Sequence, residues 1–193
     1  LWDVPDILYE IGFAASKLAE PDNKLKHMKW KEKEEHLKKI KRYGEINKML
    51  YERCYNLDSK NYLYAYSLGY YWYKNSLNPE NRKKGKEFIL EACNNGLKYL
   101  DKALELYPNH IRSLYNKLQL KQFQLELGNN SHDERAQKEI FDIIKKIEEV
   151  YNDSNSESQQ RNRQSYLKAR YQEIKVLLNN IRLKDFYKEI FLE

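Results

Sequence analysis

Residues that interrupt regular structure are scarce in this sequence, which has six glycines and four prolines among its 193 residues. This scarcity favours long helices and few tight turns. The only two cysteines, Cys54 and Cys93, form neither a CxxC motif nor the dense framework of a small secreted domain. We therefore expect free thiols and a reducing, intracellular, cytoplasmic location.

Long apolar runs and targeting signals are also lacking. No run approaches the roughly 20 apolar residues that span a bilayer, so membrane insertion is not expected. No secretory signal pattern is present, and residue 1 is Leu rather than Met, so we expect a processed product or a part of a longer chain. A hydrophobic content of 41% argues against disorder, and a charged content of 33% argues against a membrane protein.

The sequence has none of the common patterns of catalytic or metal-binding residues. It contains no glycine-rich phosphate-binding loop. The four histidines are widely separated and are expected at the surface: His27, His36, His110 and His132. Zinc needs Cys and His ligands close together, and acidic pairs such as Glu34-Glu35 are adjacent and do not converge on a helix. We therefore expect no catalytic residues, no metal and no cofactor.

Apolar residues recur at helical spacing through most of the chain, and no segment has the pattern of a β-hairpin. The expected fold class is all-α, with seven or eight helices. The expected helices cover about residues 5–19, 30–55, 61–74, 82–106, 111–127, 134–151 and 157–178, and a last one begins near 183. Residues 75–81 are expected to form a loop, and residues 94–96 could interrupt the fourth helix.

Several short motifs repeat along these helices. The segment Ala103-Leu104-Glu105-Leu106-Tyr107-Pro108 resembles the end of a tetratricopeptide repeat, and Cys54 to Ser59 occupies the equivalent place earlier. Ala65-Tyr66-Ser67-Leu68-Gly69 followed by Trp72 resembles the opening of the same repeat. Leu8 to Gly12 followed by Ala15, and Leu114 to Leu118, are weaker copies. A small residue within this opening motif lets two helices approach closely.

The resemblance implies a single domain over residues 1–193, a short right-handed α-solenoid of antiparallel helix pairs. The repeats would cover about 5–61, 62–110 and 111–154, with a partial one at 155–193. The first two are longer than the usual 34 residues and therefore contain insertions. The alternative is another α-solenoid or an irregular helical bundle.

In this family the first helix of each pair lines a concave face that binds peptides. The resemblance places Tyr9, Tyr66 and Tyr115 at one equivalent position, with Phe13 and Tyr70 one turn further on. Arg112 and Asn116 are one turn apart on the third such helix and share a face. The expected function is a non-catalytic scaffold that binds a protein or peptide through these seven residues. The alternative is that the tyrosines are ordinary half-buried packing residues.

Two further features allow other functions. Eight of the 17 tyrosines lie between Tyr51 and Tyr73, near a basic segment. Residues 24–48 contain ten basic and four acidic residues and account for the whole net charge of +6. Their candidate basic surface consists of Lys38, Lys39, Lys41 and Arg42. Together with the nearby tyrosines it could bind RNA, and by itself it could bind an acidic protein or a phosphate group, but a solvated helix face is favoured. A sensor or oligomerisation segment of a larger protein is the other alternative.

Overall fold

The computed structural model describes residues 4–20, 29–128 and 133–153. These ranges contain helices and connecting turns but no strand. The helices are α1 Pro5–Leu18, α2 Trp30–Leu57, α3 Tyr62–Leu77, α4 Pro79–Arg82, α5 Lys86–Leu106, α6 Ile111–Gly128 and α7 Glu134–Asp153. The expected all-helical fold is therefore confirmed for these residues. The helices expected at 157–178 and from 183 onward, and the partial repeat, lie outside the described residues.

Side-chain caps account for several helix starts. The Asn61 side chain accepts a hydrogen bond from the Leu63 amide at 3.0 Å, and that of Asn78 accepts one from the Glu80 amide at 3.0 Å. The Asp133 carboxylate accepts from the Ala136 amide at 3.1 Å. Each bond satisfies an amide that has no partner within its own helix.

The expected loop at 75–81 is wrong. Helix α3 continues to Leu77, and Pro79 begins the one-turn helix α4. Proline suits the first position of a helix because that position needs no amide donor. Helix α5 then begins at Lys86, later than the expected residue 82. The preceding Gly85 has a φ of 97°, which only glycine adopts readily.

The expected interruption at 94–96 is also wrong, because α5 is continuous from Lys86–Leu106. A Cβ atom added at Gly96 would lie 2.7 Å from a methyl carbon of Leu120. Gly96 therefore serves close packing between α5 and α6 and does not break the helix.

The helices pack in chain order. Helix α1 packs against α2, α3 against α5, and α6 against α7, and contacts of α2 with α3, α5 with α6, and α3 with α6 connect these pairs. Buried side chains form three clusters: one of α1 and α2 with Tyr64 of α3, one of α5 and α6 against which α3 packs, and one of α6 and α7. Cys54 and Cys93 are free, fully buried members of these clusters. The expected free thiols are thus found at both positions.

Two glycines mark the closest approaches between paired helices. A Cβ atom added at Gly12 would lie 2.9 Å from the Tyr51 ring, and one at Gly69 would lie 2.7 Å from Cγ of Leu100. Real Cβ atoms almost never approach a neighbour this closely. The expectation that small residues in the repeated motif allow close helix contact is confirmed at both positions.

Candidate functional site

Four tyrosines of α3 lie along one face of the helix and are only partly buried: Tyr62, Tyr66, Tyr70 and Tyr73. We call them the tyrosine row. Their spacing of four, four and three residues keeps them on one face, over about 16 Å at 1.5 Å per residue. The rings of Tyr66 and Tyr70 stack with centres 6.0 Å apart, and those of Tyr70 and Tyr73 with centres 5.8 Å apart. The row is therefore a continuous aromatic surface along one helix.

His110, in the turn between α5 and α6, joins the first half of this row. Its ring centre lies 4.6 Å from that of Tyr66 and 5.2 Å from that of Tyr62. Its Nδ1 lies 2.8 Å from the Ser113 hydroxyl. Burial, together with the nearby Arg112 guanidinium, lowers the pKa of His110 to about 4. The expected surface position of His110 is wrong: the ring is half-buried and neutral at physiological pH.

Helix α6 places Arg112 and Asn116 beside the row. Burial raises the pKa of Tyr66 to about 12, and the nearby Arg112 guanidinium and Asn116 amide oppose that shift. Asn116 is 5% exposed, and its buried amide nitrogen Nδ2 faces the Tyr66 hydroxyl but makes no hydrogen bond of good geometry with it. Three of the expected residues, Tyr66, Arg112 and Asn116, thus lie together.

The other expected residues are placed differently. Tyr70 belongs to the row, and Tyr115 is half-buried against the cluster between α6 and α7. Tyr115 is nevertheless near the row. Burial is the largest cause of the raised pKa of Tyr73, and the charge interaction with Tyr115 is the second. Tyr9 packs against the rings of Tyr51 and Tyr64, with centres 5.6 and 5.4 Å away.

Tyr9 borders the row only indirectly, since its hydroxyl accepts a 3.3 Å hydrogen bond from Ser67 on α3. Phe13 is 46% exposed, and its one ring contact is with the ammonium group of Lys17, 5.6 Å from the ring centre. The structure therefore groups Tyr66, Tyr70, Arg112 and Asn116 closely. Tyr9 and Tyr115 lie at the edges, and Phe13 is separate.

The candidate basic surface lies on α2, and Lys38, Lys39, Lys41 and Arg42 are all exposed. The Lys38 ammonium lies 2.9 Å from the Glu34 carboxylate, and that of Lys41 lies 4.0 Å from Glu45. The hydrogen bond with Glu34 raises the pKa of Lys38. Acidic residues one turn away thus compensate part of this charge locally.

A shallow cavity of about 360 Å³ lies between the start of α5 and the end of α6. Apolar side chains of Ile89, Phe123 and Leu127 line it, with Arg82, Lys86 and Glu126 among the charged residues. The Arg82 guanidinium lies 5.6 Å from the Phe123 ring centre.

Neither metal ligands nor a membrane span were found in the part of the chain that the structure describes. Within residues 4–20, 29–128 and 133–153, no three His, Cys, Asp or Glu side chains are grouped to hold a metal ion. No helix in those ranges combines the length and apolarity needed to cross a bilayer. Comparison with known proteins gave no match to a family model, a curated protein or a solved structure.

Sequence reasoning did not predict the roles of Tyr62, Tyr73 and His110. The positions of Tyr62 and Tyr73 in the row follow from the spacing of four, four and three residues on α3. This spacing can be recognised in the sequence once the helix is taken to continue to Leu77. His110 reaches the row only through the turn after α5, whose geometry no local pattern indicates. Tyr64 on the same helix is 2% exposed and packs against the Tyr9 ring.

Proposed function

We propose that this chain is a non-catalytic protein-binding module of the tetratricopeptide type, in which the tyrosine row, Arg112 and Asn116 bind an extended peptide. The observation that carries the proposal is the partly exposed aromatic surface of α3, with Arg112 and Asn116 of α6 beside Tyr66. The solenoid arrangement and the family assignment are parts of this proposal.

Equivalent contacts in the first two helix pairs support a repeat. Gly69 follows Gly12 by 69 − 12 = 57 positions, and Leu100 follows Tyr51 by 100 − 51 = 49 positions. The contact between Gly12 and Tyr51 corresponds to the one between Gly69 and Leu100. Cys54 and Ala103 are also 103 − 54 = 49 positions apart, and both have 0% exposure. The same packing register thus recurs where the motifs align.

The tyrosine row suits a peptide because each ring combines an apolar face with a polar hydroxyl. Such rings contribute much contact area while losing little side-chain entropy, as in antibody binding loops. Arg112 can pair with an acidic group of the peptide, and Asn116 holds the Tyr66 hydroxyl beside it. These groups give a peptide both apolar contact and orientation.

Single-stranded nucleic acid fits the row less well. Bases stack on open aromatic faces, whereas Tyr66, Tyr70 and Tyr73 stack on one another at interplanar angles of 25° and 24°. Among the residues that the structure describes, the cations seen beside the row are Arg112 and Lys74, whose ammonium lies 5.9 Å from the Tyr70 ring centre. The more basic surface on α2 is partly compensated by its own glutamates. We therefore favour a peptide partner.

The test is selection from a library of random displayed peptides against the intact chain. The affinity of selected peptides is then measured by fluorescence anisotropy for the wild type and for the Tyr66→Ala/Asn116→Ala double variant. We expect the double variant to weaken binding at least about tenfold, since removing a buried aromatic anchor commonly costs more than 1.4 kcal/mol.

Tyr71→Ala is the matched control, because Tyr71 is also half-buried on α3 but lies about 100° or more around the helix from the row. It should leave binding unchanged. Circular dichroism must show that each variant is folded. Equal affinity of a folded double variant would contradict the proposal. Binding of poly(U) RNA that weakens steeply with salt would favour the nucleic-acid alternative instead.

A further inference from the structure

The charged side chains seen beside the tyrosine row, within the part of the chain that the structure describes, are cations. Arg112 is exposed on α6, and its guanidinium acts on both Tyr66 and His110. Lys74 is also exposed, and its ammonium lies 5.9 Å from the Tyr70 ring centre. The row therefore presents positive charge to a partner.

Other tyrosines of α3, outside the row, have carboxylates beside them. The Tyr64 hydroxyl donates a 2.8 Å hydrogen bond to the Asp6 carboxylate. Burial is the largest cause of the raised pKa of Tyr71, and the negative charge of Glu52 adds to it. For Tyr73 in the row, burial again comes first, but the remaining causes are other tyrosines. These carboxylates of the chain thus act on tyrosines outside the row.

Arg112 and Lys74 also lack the acidic neighbours that accompany other surface cations. Lys38, Lys48 and Lys102 each have a glutamate three or four residues away, with the ammonium and carboxylate 2.8–3.5 Å apart. The positions three and four residues before and after Arg112 contain no Asp or Glu, and neither do those around Lys74. The two charges beside the row are therefore not compensated by the next turn of their own helices.

The position of Arg112 is not explained by helix stability. Helix α6 spans Ile111–Gly128, and its first turn contains no acidic residue. The backbone amides make this end of a helix positive, so a cation there is disfavoured. Burial is the first cause of the lowered pKa of His110, and repulsion from Arg112 is the second. A carboxylate bound at Arg112 would compensate this local excess of positive charge.

Tyr66 supplies a second donor beside Arg112. The Asn116 amide nitrogen faces the oxygen of the Tyr66 hydroxyl, so the phenolic proton is available to a partner. A carboxylate can accept hydrogen bonds from a guanidinium and a hydroxyl together, and such charge-assisted bonds are strong. Tyr62 lies one turn before Tyr66 on α3, and Tyr70 lies one turn after it. A peptide along the row therefore continues on both sides of this carboxylate, which must belong to a side chain within the peptide and not to its C-terminus.

We propose that the peptide segment bound by the tyrosine row contains an internal Asp or Glu that pairs with Arg112, with apolar residues on both sides that lie on the tyrosine rings. This inference rests on the proposed function. An extended peptide places side chains of the same face about 6.6 Å apart, two residues at 3.3 Å each. This spacing is close to the 6.0 Å between the ring centres of Tyr66 and Tyr70, so consecutive side chains of one face reach consecutive rings. Lys74 beside Tyr70 adds to the attraction of an acidic segment.

The test selects random displayed peptides in parallel against the intact wild-type chain and against Arg112→Glu. We expect the wild type to select Asp or Glu at one internal position, and Arg112→Glu to select Lys or Arg at the same position. The best wild-type peptide, acetylated and amidated at its ends, is then compared with its acid-to-lysine variant by fluorescence anisotropy. Each single charge reversal should weaken binding at least about fivefold, and the two reversals together should restore most of the affinity.

Arg42→Glu is the matched control, because Arg42 is exposed on α2 and its replacement changes the net charge equally outside the row. It should leave the affinity unchanged, and circular dichroism must show that each variant is folded. Equal weakening by Arg42→Glu would overturn the inference, since binding would then follow net charge alone. Loss of binding when the peptide's C-terminus is amidated would overturn the internal position of the acid.

The two proposals can fail separately. If Tyr66→Ala/Asn116→Ala weakens the selected peptides but Arg112→Glu does not, the acidic partner is overturned and the proposed function stands. If no peptide is selected, or if the folded double variant binds as tightly as the wild type, both are overturned.

Discussion

Gly44 and Gly69 both lie inside helices, and the same substitution by Ala should change stability in opposite directions. No atom lies within 4 Å of a Cβ added at Gly44. A Cβ added at Gly69 would lie 2.7 and 2.8 Å from two side-chain carbons of Leu100 and 3.0 Å from its backbone nitrogen. The first glycine is therefore open to substitution, whereas the second lies against the backbone of a packed helix.

The expected magnitudes follow from these distances. Replacing glycine by alanine inside a helix favours folding by about 1 kcal/mol through backbone entropy and helix propensity. Gly44→Ala should gain roughly that amount. Gly69→Ala gains it too, but overpacking against Leu100 costs about 1–3 kcal/mol. Because the 3.0 Å contact is with backbone, α3 and α5 must move apart, so we expect the upper half of that range and a net loss of about 1–2 kcal/mol.

Urea unfolding followed by circular dichroism at 222 nm measures both changes, and thermal melting should show shifts of about 2–4 °C per kcal/mol. Gly96→Ala is an intermediate case, because its closest neighbour is a methyl group at the end of the flexible Leu120 side chain. A Gly69→Ala variant as stable as the wild type would refute the close contact between α3 and α5. A Gly44→Ala variant that loses stability would show that α2 is not an open helix at that point.

Two other predictions concern stability. The folded-state pKa of His110, about 4, lies below the ordinary value of 6.5, so the unfolded chain binds the proton first as pH falls. The contribution of neutral His110 to the free energy of unfolding, roughly 2–3 kcal/mol, is present above pH 6.5 and is lost as the pH falls towards 4. The difference between the urea midpoints at pH 7.5 and pH 4.5 should therefore be smaller in His110→Gln than in the wild type. An equal difference in both proteins would contradict the burial of His110. Leu100→Ala, at a fully buried site, should lower the free energy of unfolding by about 2–5 kcal/mol. Met49→Ala, at a site that is 59% exposed, should change it by less than about 0.5 kcal/mol. Similar losses in both variants would contradict this packing.

Helix positions could be predicted from the sequence because apolar spacing and capping residues are local signals. Pro5, Asn61 and Asp133 each mark a helix start in the printed sequence: α1 begins at Pro5, and α3 and α7 begin directly after Asn61 and Asp133. Errors occurred at residues with two physical uses. Gly96 can break a helix or allow close packing, and Pro79 can end a helix or begin one; only the neighbouring helix or the preceding cap distinguishes these cases.

The candidate site was less predictable, since its members meet through tertiary packing. Tyr66, Asn116 and Arg112 could be grouped because the repeated motif aligns α3 with α6. His110 could not, because its position beside Tyr66 depends on the direction of one turn. The two faces of α1 present a similar difficulty. Apolar spacing identifies the helix but does not show that Leu8 and Ala15 are buried while Ile7 and Ile11 are exposed.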